Sequence, residues 1–302
     1  MKGVLDVASI QNITVIGGGT MGRGIAELIA SKGFETTIIE QNEELAKEAF
    51  DYIELSLDKK LSKWGITLAE KKMTLSRLHV TSDMNALKKA DFVIESVYED
   101  MKTKIEVFKQ CDKLCRPEVV LASNTSTLSL TEIAAATNRP ENVIGLHFLH
   151  PVPRTPLVEM VRGLKTSQET VETVVELLPK LELKGVEVYE SPGFVTTRLI
   201  VLLINEAIYT LMEGVASEKD IDRAMKIGYH FHAGPLEMAD HFGLDSILAA
   251  LERLYREFGD IKYRPAPLLK KMVRAGHLGV KTGEGFFRYD EDGERIDEEE
   301  QQ

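Results

Sequence analysis

An apolar run that breaks into closely spaced glycines just where a helix begins leaves a chain few folds to choose from. Residues 13–24 read ITVIGGGTMGRG, which sets Gly17, Gly19 and Gly22 at G-x-G-x-x-G spacing. Gly17 allows a tight turn. Gly19 lets the backbone approach phosphate oxygens with no Cβ in the way, and Gly22 lets the next helix pack close to its strand. The helix start adds N–H donors and about half a positive charge. The loop, with Thr20 and Met21 between its second and third glycines, is therefore expected to cradle a dinucleotide pyrophosphate.

Taken alone, this spacing also fits an ordinary glycine-rich turn, and the residues that follow decide between the two. After a helix over Met21–Lys32, Gly33 punctuates, and an apolar strand over Glu35–Ile39 ends in Glu40. An acid there accepts hydrogen bonds from the adenosine ribose hydroxyls and repels a 2′-phosphate, so the expected cofactor is NAD rather than NADP.

Apolar strand-like runs alternate with helical patterns through the first 190 residues: Ile13–Ile16, Thr36–Ile39, Phe92–Val97, Val119–Ala122, Val143–His147, Leu157–Val161 and Val186–Tyr189. That alternation predicts an α/β fold, a doubly wound, Rossmann-like and mostly parallel sheet with helices on both faces. The polar stretch Asn42–Ser76 has helical period and predicts a hairpin projecting from the sheet. At Ser191-Pro192-Gly193 the texture changes to helix: Phe194–Met212, then Ser217–Ile227 opened by an N-capping Ser217, then Pro235–Phe258. A chain of 302 residues favours two domains. The expected division is residues 1–190, an all-helical C-terminal domain over 191–289, and an acidic tail over 290–302. Leu199, Leu202, Leu203, Ile208 and Leu211 form an apolar stripe read as a subunit interface.

The formal charge of −11 is concentrated at the end: Asp290–Gln302 holds eight acids and one arginine. The rest is near balance, without the basic stripe that nucleic-acid binding needs, and the acidic end reads as a solvated tail. The first residues, MKGVLDVASIQ, lack the long apolar core of a signal peptide, and Leu199–Ile204 is too short to cross a bilayer. A soluble, cytoplasmic protein is expected. Cys111 and Cys115, one helical turn apart, read as structural.

In open α/β sheets ligands bind beyond the carboxyl ends of the strands. There the sequence sets Ser123-Asn124-Thr125-Ser126 after one strand and His147 at the end of the next, with Glu159 inside the following apolar run. A strand-end histidine is often just a hydrogen-bonded core residue. A carboxylate within its reach changes that, because it fixes the imidazole tautomer and favours the imidazolium formed on accepting a proton. Such a pair suits a base that takes a hydroxyl proton while hydride leaves the same carbon for NAD.

The residues from about Gln11 to Tyr289 carry a family pattern: GGGTMGRGIA, VIESVYED, LASNTSTLSLTEIA, GLHF with PVP, PLVEM, SPGF, GPLEMAD and GVKTGEGFF, in that order. The chain resembles the L-3-hydroxyacyl-coenzyme A dehydrogenases, especially the short bacterial 3-hydroxybutyryl-coenzyme A dehydrogenases. The resemblance implies NAD-dependent interconversion of a short 3-hydroxyacyl thioester and its 3-oxoacyl partner. It makes His147 the catalytic base, Glu159 its partner and Ser126 a hydroxyl that holds the substrate oxygen. It sets Glu40 and Gln41 at the adenosine ribose, Glu99, Lys104 and Lys281 at NAD, Ser56 and Lys63 at coenzyme A, and a homodimer through the helical domain. From the residues alone, Ser56 and Lys63 would read as a solvated helix face.

Three positions depart from that pattern. His150 stands where the family has an asparagine near the nicotinamide, Thr197 where it has an asparagine on the substrate carbonyl, and Pro156 where a lysine is common. Threonine offers one rotatable hydroxyl on a shorter stem than an amide. These changes cluster on the acyl side and predict a shifted acyl preference with the chemistry kept. An alternative is a dehydrogenase of a free 3-hydroxy acid or a related small substrate, and a further one is a nucleotide-binding protein without turnover. His230, His232, Asp240 and His241 have metal-like spacing, as do His147 and His150. Hydride transfer to NAD requires no metal, and none is expected.

Overall fold

Strand β1 (Asn12–Ile16) sits where the sheet changes direction, pairing in parallel with β2 (Glu35–Ile39) on one side and β4 (Phe92–Glu95) on the other. The computed structural model describes residues 7–296. The remaining strands are β3 (Leu78–Thr81), β5 (Val120–Ser123), β6 (Val143–Phe148), β7 (Leu157–Arg162) and β8 (Lys184–Tyr189). They form one sheet in the order β3-β2-β1-β4-β5-β6-β7-β8. From β3 to β6 all neighbours are parallel, β7 runs antiparallel to β6, and β8 follows β7 in parallel. The order reverses between β1 and β4, the place where such sheets open a ligand crevice.

The central strands β4, β5 and β6 are buried along their whole length. Helices α1 (Thr20–Ser31), α4 (Met101–Leu114), α5 (Leu130–Ala134) and α6 (Gln168–Lys180) cover the sheet, which is why these strands read as unbroken apolar runs. Edge strand β8 is exposed except at Val188, and its Lys184 and Glu187 discourage edge pairing.

The polar stretch after Glu40 is two helices, α2 (Glu43–Ser62), capped by Asn42, and α3 (Leu68–Ser76), opened by a Thr67–Glu70 capping box. The helical expectation holds, but most of α2 lies against the first unit's core through Ala46, Ala49, Ile53 and Leu57, and only the tip around Trp64 stands out. Strand β3 follows unannounced by the sequence: it is four residues long and buries only Leu78, too little for an alternating pattern.

Residues up to Ser191 form one compact unit and those from Pro192 a second. The second holds α7 (Thr196–Met212), α8 (Glu218–Tyr229), α9 (Pro235–Phe242), α10 (Leu244–Phe258) and α11 (Pro267–Ala275). The long helical stretch expected over Pro235–Phe258 is two helices, divided at Gly243, whose φ of 89° no helix accommodates. The core gathers Ile204, Ile208, Leu236, Leu251, Leu254 and the fully buried Tyr263. Ile208 thus leaves the expected interface stripe for the core, Leu202 and Leu211 pack partly on it, and Leu199 stays exposed.

Residues 290–296 are solvated, none of them buried, but they fold back rather than trail. Tyr289 bridges Arg295, Asp290 donates its N–H to the Glu294 carbonyl at 3.0 Å, and Arg295 lies 3.6 Å from the Phe287 ring centre. Residues 297–302 of the expected tail, and the first six residues of the chain, lie outside the described residues. Among the described residues no helix is long and apolar enough to cross a membrane.

Candidate active site

The loop after β1 is shaped by its glycines. A Cβ on Gly22 would lie 1.8 Å from the Gly17 carbonyl oxygen, so only glycine lets α1 start against the turn, while the Cβ position of Gly19 has no atom within 4 Å. Gly19 caps α1 without a side-chain hydrogen bond, so the first helical N–H groups, beginning at Thr20 and Met21, face that open space. At the end of β2 the Glu40 carboxylate accepts the Gly18 N–H and, at 3.0 Å, the N–H of the exposed Gln41. An open glycine cradle, an uncapped helix start and a carboxylate at the next strand end are what a dinucleotide requires, and these residues fit NAD.

The other half of the site is set by one antiparallel register. His147 of β6 lies directly opposite Glu159 of β7, so both side chains leave the same face of the sheet. His147 Nδ1 and Glu159 Oε2 are 2.6 Å apart, with the histidine 7% and the glutamate 1% exposed. A bond at Nδ1 directs proton exchange with a substrate to Nε2 and holds the ring against rotation.

Ser126 lies in the loop after β5, and that loop is built around Glu99. One carboxylate oxygen of Glu99 accepts the Thr125 hydroxyl at 2.6 Å and the main-chain N–H groups of Ser126 and Thr127 at 2.9 and 3.1 Å. Burial would raise its pKa, but Lys104, the Thr125 hydroxyl and the two amides outweigh it and hold the carboxyl below the usual range. Lys104 has no exposed surface; its ammonium sits 2.6 Å from Glu95 and 3.4 Å from Glu99. Glu95 in turn accepts the Ser123 hydroxyl at 2.6 Å. Lys104 therefore supports the loop from beneath, through Glu95 and Glu99.

Two further residues complete the frame: Glu95, beneath Lys104, which the sequence did not single out, and Asn124, which it placed after a strand end without a role. The Asn124 Oδ1 accepts the N–H of Phe148, next to His147, at 3.0 Å, and its amide nitrogen donates to the Ser96 hydroxyl at 3.1 Å. Ser96 follows β4 and donates its N–H to Ile16 at the end of β1. The glycine loop, the Ser126 loop and the His147 strand are thus tied edge to edge. Both residues lie in segments the sequence marked, VIESVYED and LASNTST, but their roles arise only from neighbouring strand ends.

Residues 12–191 match the description "3-hydroxyacyl-CoA dehydrogenase, NAD binding domain", and residues 193–289 match "3-hydroxyacyl-CoA dehydrogenase, C-terminal domain". The chain belongs to the 3-hydroxyacyl-CoA dehydrogenase family. It is 45% identical over 282 residues to a probable 3-hydroxybutyryl-CoA dehydrogenase of Bacillus subtilis, covering 93% of this chain and 98% of the relative. It is 44% identical over 279 residues to the 3-hydroxybutyryl-CoA dehydrogenase of Clostridioides difficile, covering 92% and 99%. The crystal structure of (S)-3-hydroxybutyryl-CoA dehydrogenase from Ralstonia eutropha superposes with a TM-score of 0.88 at 41% identity, covering 94% of this chain and all of that one.

Within this dehydrogenase the remaining expected residues are placed as follows. Ser56 lies on α2 and Lys63 is its C-cap, both in the first unit. His150 is exposed and precedes Pro151 through a cis peptide bond. Thr197 occupies the first turn of α7, and Lys281 pairs with Asp245 at 2.6 Å, both within the second unit. Among the described residues no group of three or more His, Cys, Asp or Glu side chains is arranged to hold a metal.

Proposed function

We propose that this enzyme is an NAD-dependent dehydrogenase of short L-3-hydroxyacyl-coenzyme A thioesters, 3-hydroxybutyryl-coenzyme A among them, working in either direction. The 2.6 Å contact between His147 Nδ1 and Glu159 Oε2 is the observation that supports this reading most. A base held at one nitrogen by a buried carboxylate offers the other, Nε2, to the 3-hydroxyl proton. Bound NAD supplies the acceptor for the C3 hydride. As His147 takes the proton, Glu159 stabilises the imidazolium, and in the reducing direction His147 returns it. The Ser126 hydroxyl, held in its loop by Glu99, donates to the substrate oxygen where charge develops.

Glu40 and Gln41 meet the adenosine ribose, Ser56 and Lys63 meet coenzyme A, and Glu99 lies at the cofactor side of the loop. Lys281 meets NAD, as the family pattern implies. Thr197, Pro156 and His150, the three departures from the family pattern, adjust acyl preference. The enzyme works in the cytoplasm, where NAD and acyl-coenzyme A thioesters are available, as a homodimer through its helical unit. The exposed Leu199 on α7 supports such an interface.

Following NADH absorbance with acetoacetyl-coenzyme A and with free acetoacetate tests the assignment. Turnover with a clear preference for the thioester is expected. Preference for the free acid, or no oxidation of NADH with either, overturns it. Light scattering tests the dimer, and a monomeric mass removes it.

A further inference from the structure

The tip of the α2–α3 hairpin carries the only tryptophan of the chain, Trp64, and leaves it 95% exposed. Its backbone is left-handed, with φ of 58°, immediately after the C-cap residue Lys63. Helices ordinarily place glycine at that position, and here Gly65 comes one residue too late. The turn is closed without the indole, by main-chain bonds from the Trp64 N–H to the Leu61 carbonyl and from the Gly65 N–H to the Lys60 carbonyl, and by the Ser62 hydroxyl, which donates to the Lys59 carbonyl at 2.9 Å. The indole therefore adds backbone strain, exposes a large apolar surface and does nothing for the turn. Such a cost is borne where a side chain has a use.

The neighbouring residues indicate the use. Ser56, Lys59 and Lys63 recur at helical spacing along one face of α2, about 10 Å from first to last. Lys60, on the same turn, is drawn aside to Glu27 at 2.5 Å. The exposed face ends as two lysines beside one aromatic plane. A ligand that matches this arrangement carries phosphates and a flat base at one end, because lysine serves as a point charge for phosphate and an indole stacks on any purine.

We propose that Trp64 stacks on the adenine of the coenzyme A handle while Lys59 and Lys63 meet its phosphates. This rests on the thioester reading above and adds a determinant of substrate affinity that lies far from the reacting carbon. The hairpin tip then selects thioesters by their nucleotide end, and the acyl end is read elsewhere.

Because Trp64 is the only tryptophan, its fluorescence reports the contact directly. With the nucleotide site saturated by NAD, adding coenzyme A to the wild-type enzyme quenches the emission to a plateau, whereas pantetheine does not. Trp64→Gly raises KM for acetoacetyl-coenzyme A about tenfold with kcat held, Trp64→Phe raises it less, and the acetoacetyl thioester of pantetheine shows no such rise. The melting temperature of Trp64→Gly stays at or above that of wild type, since glycine suits the left-handed position, which separates a binding loss from a folding loss.

Saturation by acetoacetyl-coenzyme A with unmoved emission, an equal response to pantetheine, or an unchanged KM in Trp64→Gly each overturns the stacking while leaving the thioester reading intact. An enzyme that neither binds coenzyme A nor turns over its thioester removes both.

Discussion

Glu99 receives the main-chain N–H of Ser126 at 2.9 Å across 27 residues of sequence, so the loop carrying the candidate substrate hydroxyl is folded around a single carboxylate. Its second oxygen faces the Lys104 ammonium, buried between Glu99 and Glu95. The geometry of the loop therefore depends on a charge lying outside it.

Glu99→Gln removes that charge while nearly keeping its shape. The variant is expected to lose about 1–3 kcal/mol of stability, with a fall in kcat/KM larger than any change in NAD affinity. Because the folded carboxyl is held below its usual range, the stability it confers is present above the unfolded value of about 4.3 and is lost as pH falls through the folded value. Melting curves over the acid range should bring wild type and variant together as pH drops; a constant gap would show that the loss is not electrostatic.

His147→Ala should lower turnover about 10²- to 10⁴-fold with NAD binding retained, and some loss of melting temperature as the buried Glu159 is left without its imidazole. Glu159→Gln, which still accepts or donates at Nδ1 but stabilises an imidazolium poorly, should fall between that variant and wild type. Steady-state rates alongside NAD binding separate the chemical step from cofactor affinity. Near-normal turnover in His147→Ala would take the imidazole out of the reaction.

Two glycines of the loop should fail in different ways. Gly19→Ala adds a methyl where no atom lies within 4 Å, so the fold should persist while NAD binding weakens. Gly22→Ala drives a methyl to 1.8 Å from the Gly17 oxygen and should destabilise the first unit by about 1–3 kcal/mol or more. Calorimetric NAD titration and thermal melts of both variants distinguish the outcomes; tight NAD binding by Gly19→Ala would refute the cradle.

Asp240, in the second unit, is raised to about 6 because burial outweighs the N–H groups of Phe286 and Phe287, with Asp222 adding to the effect. The folded state therefore holds this proton more tightly than the unfolded chain. The stabilisation is complete below the unfolded value of 3.8 and is lost as pH rises through about 6. Between those values wild type should lose stability relative to Asp240→Asn, which cannot ionise. A pH-independent difference in melting temperature would rule this out.

Much of the site could be read locally. Gly17, Gly19, Gly22 and Glu40 announce themselves because a strand, a tight turn, a helix start and a strand-end acid are all short-range features with few alternatives. Lys104 is instructive in the other direction. The family pattern sets it at the cofactor, but a lysine's partners depend on which strands lie beside it, and the fold buries it between Glu95 and Glu99. Asn124 is marked in sequence only by its place after a strand and Glu95 not at all, since their partners Phe148 and Ser123 are fixed by the order of β4, β5 and β6.

The sequence by itself determined the alternating α/β sheet, the helical second unit, the nucleotide loop and the candidate base and acid, because hydrophobic periodicity and glycine spacing are written residue by residue. Only the tertiary structure decided that His147 faces Glu159. Twelve positions apart in the chain, the two meet because β7 runs antiparallel to β6 in one register, and a slip of one residue would turn the glutamate to the opposite face of the sheet. Strand pairing is a long-range choice set by the packing of the whole sheet, and no local pattern encodes it.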